Sequence, residues 1–508
     1  VLGRLAAVPT LVEHAAATPD KLAVVEGVSG ERTRTYAELS SRVNRLARAY
    51  RTLGATPGSR VAVMLANSLE FVEAGCATGV AQTWYVPVNW HLKTDELAYI
   101  LADSNVRVLV TSPELESIAH AATAAVGCPL LVTGSSYEQA IAAEDDAPLD
   151  GAWSGPAWVL YTSGTTGRPK GVVHGEPDAA AMEQARAALI AMWGLTPDDI
   201  YGLAGPGYHA GPGGYCFTTT GLGGTVVALP KWDAREFLAA IDRHGITTVF
   251  LTPAHLIRIL EVPEEVRATY DVSSLRLLIQ SGAPCPVDVK RRILDVFPTT
   301  EISEMYGASE GGVTRITTAE WRERPGSVGK PWPGVEVRIL DASGAELPVG
   351  TEGLIYSKPP SGRRFHYHGD DAKTDAAWLD DAFTVGDIGR VDEDGYLYVT
   401  DRVSDMVLWG GVNIYPREIE DVLFTHPTVV DCAVFGVPDD RYGEVLKAVI
   451  EVRGATSPES LQEYVRERLA DYKVPTYVVI VDTLPRDPNG KVLKRLLRED
   501  HVKAAAHG

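Results

Sequence analysis

Between residues 35 and 54, Leu39, Val43, Leu46, Tyr50 and Leu53 recur at spacings of four and three. That is one apolar helical face, and Gly54 predicts its end. "RVAVML" (60–65) then reads as a buried strand, followed by a helix-like segment through Ala74. "KTDELAYILADSN" and "VRVLVT" repeat the helix-then-strand order. Further on, "DAREFLAAIDRHG", "ITTVFLT", "PAHLIRILEV", "LRLLIQS", "PVDVKRRILDVF" and "TEISEMYG" keep alternating helix and strand. Alternation of this kind predicts parallel sheets covered by helices, with ligands bound beyond the carboxyl ends of strands. "SGAP" (281–284) and "EMYGASE" (304–310) fall at two such ends.

From about residue 326 the period shortens. "VEVRIL" and "GLIYSK" are β runs separated by turn signals such as "DASG" and "DEDG", which predicts a small β-rich subdomain over about 326–401. Beyond it, "YPREIEDVLFTH", "VVDCAVFGV", "EVLKAVIEV" and "ESLQEYVRERLA" predict a compact α+β unit over 402–508, closed by "LPRDPNGKVLKRLLRED". The fold class is therefore α/β: a large N-terminal domain, 1–401, of helix-covered sheets plus the β-rich subdomain, then an α+β C-terminal domain. No internal repeat interrupts this order.

Composition narrows the function. With 508 residues, 45% hydrophobic and 22% charged, the chain has ample material for a large core. Its net charge of −20 argues against a nucleic-acid or anionic-membrane binder, though not against a nucleotide. The five cysteines are scattered and show no CxxC spacing, which fits reduced thiols in a cytoplasmic protein. No apolar run reaches membrane-spanning length.

The candidate chemistry starts in "YTSGTTGRPKGVVHG" (161–175). Glycines let a backbone approach a ligand closely, Thr162, Ser163, Thr165 and Thr166 supply hydroxyls, and Lys170 supplies a positive charge. Such a loop suits phosphate oxygens. It is not a Walker loop, because Gly171 follows Lys170. In "SGAP", a Gly-Ala-Pro surface could support a flat ring that Tyr306 covers from the other side. Glu310 suits Mg²⁺, which takes one or two carboxylates beside substrate phosphates. Asp387 in "FTVGDIG", preceding a turn, could accept from two sugar hydroxyls, and Arg402 follows fifteen residues later. Each also has a plainer reading: Asp387 as a turn cap, Glu310 as a solvated charge, Arg402 as partner of Asp401, Lys491 as a surface lysine.

Taken together these motifs resemble the adenylate-forming superfamily, in particular its acyl-CoA synthetase or acid–CoA ligase branch. "YTSGTTGRPKG" is similar to the superfamily's phosphate loop, and "YGASE" to its Tyr-Gly-x-Thr-Glu motif with Ser309 in place of threonine. "VGD", "DRVSD", "GGVNIYPREIE" and "PNGKVLKR" follow in the superfamily's order. The resemblance implies an enzyme that uses ATP and Mg²⁺ to convert a carboxylic acid to acyl-AMP, then transfers the acyl group to coenzyme A. It implies catalytic roles for Lys491, Glu310, Thr162 and Lys170, with Glu310 holding the metal. It places ATP or AMP against Thr162, Ser163, Gly164, Thr165, Thr166, Gly282, Ala283, Pro284, Glu304, Met305, Tyr306, Gly307, Ala308, Ser309, Asp387, Arg402 and Lys491. A mobile C-terminal domain would turn at Ser404, where the superfamily usually has Asp or Lys. Trp409, Gly410 and Gly411 would then line a tunnel for the thiol arm, although Trp409 is bulkier than the small residue expected there.

The resemblance further puts the acyl pocket at His209, Gly211, Gly214, Phe250 and Gly282. "GPGYHAGPGGY" offers His209 without a neighbouring carboxylate, so an amino-acid substrate is disfavoured, because its ammonium would stand unpaired. His209 reads equally as a packed core histidine. The glycines around it leave volume for a bulky apolar acid, or serve packing and turns instead. The alternative function is an acyl-AMP ligase that loads a carrier protein. The expected partners are a small carboxylic acid and coenzyme A, with no nucleic acid and no membrane span, and a homodimer is the candidate assembly.

Overall fold

In the computed structural model, residues 10–151, 155–162, 169–175, 179–360, 364–410, 412–439, 441–487 and 490–506 are described. By backbone proximity the chain divides into two compact units. One comprises residues 1–251, 264–278 and 363–375, and the other 252–263, 279–362 and 376–508.

The first unit carries two helix-covered sheets. In one, the strands Leu130–Val132, Val106–Thr111, Arg60–Met64, Trp84–Pro87 and Ala157–Thr162 run parallel. Lys170–Val173 and His366–Tyr367 then add an antiparallel edge. Its parallel strands are mostly apolar because both faces are covered, with Val86, Leu97, Leu109 and Val159 among the buried core residues. In the other, Thr248–Leu251, Ile200–Leu203, Thr225–Ala228 and Leu22–Glu26 run parallel, and Arg32–Thr35 closes the edge as a hairpin.

Local chemistry sets the helix bounds. Thr35 and Glu38 form a reciprocal capping box that starts Tyr36–Thr52. Asp233 accepts from the backbone of Arg235 and Glu236 to start Ala234–His244. The segment expected to be helical through Ala74 continues to Val80, because nearly every one of its side chains is buried and it packs in the interior.

The second unit holds three antiparallel arrangements. Glu301–Ala308, Gly311–Ile316 and Lys330–Pro331 form one ladder. "EMYGASE" is therefore the end of a strand, as expected, and its hairpin. Next, Glu336–Leu340, Gly353–Lys358, Asp387–Val391 and Leu397–Arg402 build the β-rich sheet, with two short strands at its edge. The last sheet joins Val412–Ile414, Val407–Trp409, Gly443–Val452 and Val429–Asp439, with Tyr477–Val481 parallel to Gly443–Val452. Beyond a register shift between Val429 and Asp431, alternation along Val429–Asp439 sorts its side chains. Cys432 and Val434 pack under Ile419, Leu461 and Val465, while Ala433, Phe435 and Val437 face Leu484. Among the described residues, no helix is long and apolar enough to cross a membrane.

Candidate active site

Antiparallel register brings the first pair together. Asp387 opens its strand directly opposite Arg402. It follows the turn at Gly386 and does not precede one, which corrects the sequence expectation. Arg402 Nε donates to Asp387 Oδ1 at 2.8 Å, and the Tyr306 hydroxyl donates to Asp387 Oδ2 at 2.7 Å. Asp387 is only 4% exposed, and each carboxylate oxygen accepts one of these bonds, which leaves further lone pairs to accept others. The plainer expectation that Arg402 pairs with Asp401 is corrected too: only the Arg402 backbone N–H reaches Asp401, at 2.8 Å. Burial disfavours the Arg402 charge, but Asp387 outweighs it and holds the guanidinium above its ordinary value. Burial, and then Asp387, push the Tyr306 phenol well up, so it remains a neutral donor. Beside this cluster lies a small pocket lined by Tyr306, Gly307, Ala308, Gly311, Val313 and Phe383, among others.

Lys491 stands within range of the charges of Arg402 and Asp387. Its turn is closed by its own N–H donating to Asp487 Oδ1 at 2.8 Å and by the Asp487 N–H donating to its carbonyl at 2.8 Å. Gly490 has φ +83°, and a Cβ there would stand 2.5 Å from the Ala254 Cβ, so only glycine fits this close approach. The residue is exposed, yet the protein around its ammonium, and next the charge of Arg402, hold it below the ordinary lysine range. Asp405, Asp487 and Asp387 act in the opposite direction. Its side chain is exposed, and the charges of Arg402 and Asp387 both act on it.

Elsewhere in this unit, Gly282 turns the chain after Leu277–Gln280 with φ +89°, and the Gln280 amide donates to the Ala283 carbonyl at 3.4 Å. Glu304 has its carboxylate on the fully buried Lys290 ammonium at 2.8 Å, so its side chain is occupied by an internal ion pair. That partner went unread in the sequence, fourteen residues away across a strand and a helix. Ser309 and Glu310 occupy the hairpin between Glu301–Ala308 and Gly311–Ile316. One carboxylate fits Mg²⁺ whose other ligands are substrate phosphates and water, and among the described residues no group of three or more acidic, histidine or cysteine side chains forms a cage. Trp409 stacks between Tyr442, centroids 4.7 Å apart, and Tyr472 at 6.1 Å, so aromatic neighbours take up its bulk. Gly410 donates to the Tyr442 carbonyl at 2.8 Å. Ser404 lies in an exposed turn, where the Asp405 and Met406 N–H groups both donate to the Arg402 carbonyl.

In the first unit, Thr162 ends one strand, Lys170 begins the next, and the two are cross-strand partners in an antiparallel pair. Lys170 pairs with Asp370 at 3.2 Å, and that side-chain contact raises its pKa. Ser163, Gly164, Thr165, Thr166 and Gly411 lie outside the described residues.

The glycine-rich helix Ala210–Leu222 begins after His209. Most of the volume its glycines leave is filled from within, so of the two readings packing and turns account for most of them. A Cβ at Gly211 would meet the Phe250 ring at 2.5 Å, and one at Gly213 the Gly207 carbonyl at 2.1 Å and Trp158 at 2.8 Å. Gly223 and Gly224 are crowded by His14 and by the Asp199 carbonyl. Gly214 differs, with nothing within 4 Å of a built Cβ. The aromatic bed includes Phe250, stacked on Tyr215 at 5.8 Å, and Trp158, edge-on to Tyr85 at 4.8 Å.

Comparison with known proteins shows the family. Residues 11–363 match the AMP-binding enzyme family, and residues 418–491 match the AMP-binding enzyme C-terminal domain. The chain belongs to the AMP-binding, adenylate-forming enzymes. It is 35% identical to the fatty acid–[acyl-carrier-protein] ligase ScoC of Streptomyces coeruleorubidus, over 97% of this chain and 96% of that protein. It is 38% identical to a feruloyl-CoA synthase of an Amycolatopsis species, over 91% and 93%. Among solved structures, ATP-bound MatB from Rhodopseudomonas palustris superposes with a TM-score of 0.84 at 32% identity, covering 97% of this chain and 99% of that one.

Proposed function

We propose that this enzyme is an ATP-dependent acid–CoA ligase acting on an apolar acid without an α-amine. A carboxylate oxygen attacks the α-phosphorus of ATP, the bond to the bridging oxygen breaks, and pyrophosphate leaves with the electron pair. The thiol of coenzyme A then attacks the acyl carbon, and AMP departs. Because acyl-AMP is already activated, no enzyme nucleophile is required. This suits the cysteine thiols: burial pushes Cys76 up to about 12 and Cys128 up to about 11.

The observation that supports the reading most is the cluster of Tyr306, Asp387, Arg402 and Lys491. In it, Asp387 holds the ribose hydroxyls, Tyr306 covers the adenine opposite the Gly282–Ala283–Pro284 turn, and Lys491 bridges the attacking carboxylate and the α-phosphate. Joining an anion to a triphosphate is limited by charge repulsion, so positioning and neutralisation supply the catalysis. Thr162, Lys170 and the residues between them hold the β- and γ-phosphates. Glu310 would hold Mg²⁺, which supplies further neutralisation of phosphate charge. After adenylation, residues 402–508 turn at Ser404, Lys491 withdraws, and Trp409 and Gly410 approach the thiol arm.

Two relatives frame the acid and the acceptor. One is named for ferulate and coenzyme A, the other for a fatty acid and an acyl carrier protein. The test is pyrophosphate release across aryl acids, medium-chain fatty acids, acetate and amino acids, with mass spectrometry of the products. Release with ring-containing acids and a CoA thioester product are expected. Efficient activation of acetate or an amino acid contradicts the reading of the acid, and transfer only to a phosphopantetheinylated carrier contradicts that of the acceptor.

A further inference from the structure

The turn that displays Lys491 is connected to the helix Pro253–Glu261 twice. Directly, the Gly490 backbone packs on Ala254 so closely that a Cβ could not fit. Indirectly, a relay of charged groups runs from the last turn of the same helix. Arg258 pairs with Glu261 at 2.7 Å and with Glu451 Oε2 at 3.6 Å. Glu451 is 3% exposed, and its other oxygen accepts from the Leu484 N–H at 2.6 Å and lies 3.5 Å from Arg486 Nη2. Arg486 also pairs with Asp431, and its Nη1 donates to the Gly490 carbonyl at 2.9 Å. Burial disfavours the Arg258 charge, but Glu261, and next Glu451, hold it above its ordinary value.

We infer that Arg258 is a positioning residue for Lys491. Through Glu451 and Arg486 it fixes the lysine turn where adenylation uses it, and the relay breaks when residues 402–508 turn toward the thiol step. The inference rests on the proposed role of Lys491 in adenylation alone. The physical argument is the buried carboxylate. Glu451 is stable as an anion in the interior only while cations and N–H groups surround it. One of those cations stands on the Pro253–Glu261 helix and the other grips the lysine turn. Moving the turn away from the helix separates Glu451 from Arg258, so the docked arrangement is favoured until product contacts replace it.

The experiment compares wild type, Arg258→Met and Arg258→Lys. The substrates are the acid that releases most pyrophosphate in the panel above, and its synthetic adenylate with coenzyme A. Arg258→Met should slow single-turnover acyl-AMP formation about tenfold through kcat, with KM for the acid unchanged. Thioester formation from the synthetic adenylate should match or exceed wild type, and Arg258→Lys should recover part of the loss. Hydrogen exchange of the protein without substrates gives a second readout. Leu484 and Lys491 amides should exchange faster in Arg258→Met, while those of Gly443–Val452 stay protected. Equal loss in both half-reactions, no loss in either, or unchanged protection at Leu484 and Lys491 would overturn the relay. A wild type that forms no thioester with any acid defeats the proposed function instead, and the exchange measurement still decides the relay.

Discussion

Lys491 carries a charge that its surroundings disfavour, and this has a signed consequence. Desolvation and Arg402 lower its pKa, so the ammonium loses its proton at lower pH than an ordinary lysine. If adenylation uses the ammonium, acyl-AMP formation should fall on the alkaline side below pH ~10.5, the ordinary lysine value. Lys491→Arg should be slower but flat across that range, because a guanidinium does not titrate there. Thioester formation from synthetic adenylate should show no such limb. The glycines of Ala210–Leu222 make a second residue-scale contrast. Gly211→Val should cost about 1–3 kcal/mol of stability, because the Phe250 ring already occupies the site, and thermal unfolding would show it. Gly214→Leu should leave the melting temperature nearly unchanged and lower kcat/KM for ring-containing acids more than for short linear ones. An equal drop for all acids would remove Gly214 from the pocket. From sequence these glycines were indistinguishable, because what separates them is a ring that arrives from residue 250 and a carbonyl from residue 207.

At the scale of elements, the turn after Leu397–Arg402 is the proposed hinge of a two-step enzyme. Two N–H groups converge on the Arg402 carbonyl around Ser404, and proline at 404 would fix φ near −65° and restrict Val403 as well. Ser404→Pro should release pyrophosphate on the first turnover and then stall with acyl-AMP bound. Rapid-quench product analysis would check this, and normal thioester output from a folded variant would place the hinge elsewhere. Most helices and strands were legible because their period matched their burial. The edge strand Arg32–Thr35 was not, since "RTRT" has no apolar face, and pairing with Leu22–Glu26 holds it instead. The antiparallel pairing that sets Asp387 opposite Arg402 was equally hidden, since a fifteen-residue separation in sequence does not specify register.

Across the whole molecule, motif order read from sequence was enough to predict the fold class and the chemistry, because each motif is short and contiguous. The charge networks were not legible, since Lys290–Glu304 and Arg258–Glu451–Arg486 join residues from different elements. The central claim is that one lysine serves the first half-reaction and leaves for the second. The measurement is Lys491→Ala in two separate assays, acyl-AMP formation from acid and ATP, and thioester formation from synthetic acyl-AMP and coenzyme A. The account predicts a loss of roughly 10²-fold or more in the first, by analogy with other cations that neutralise phosphoryl transfer, and a wild-type rate in the second. Equal loss in both would contradict it.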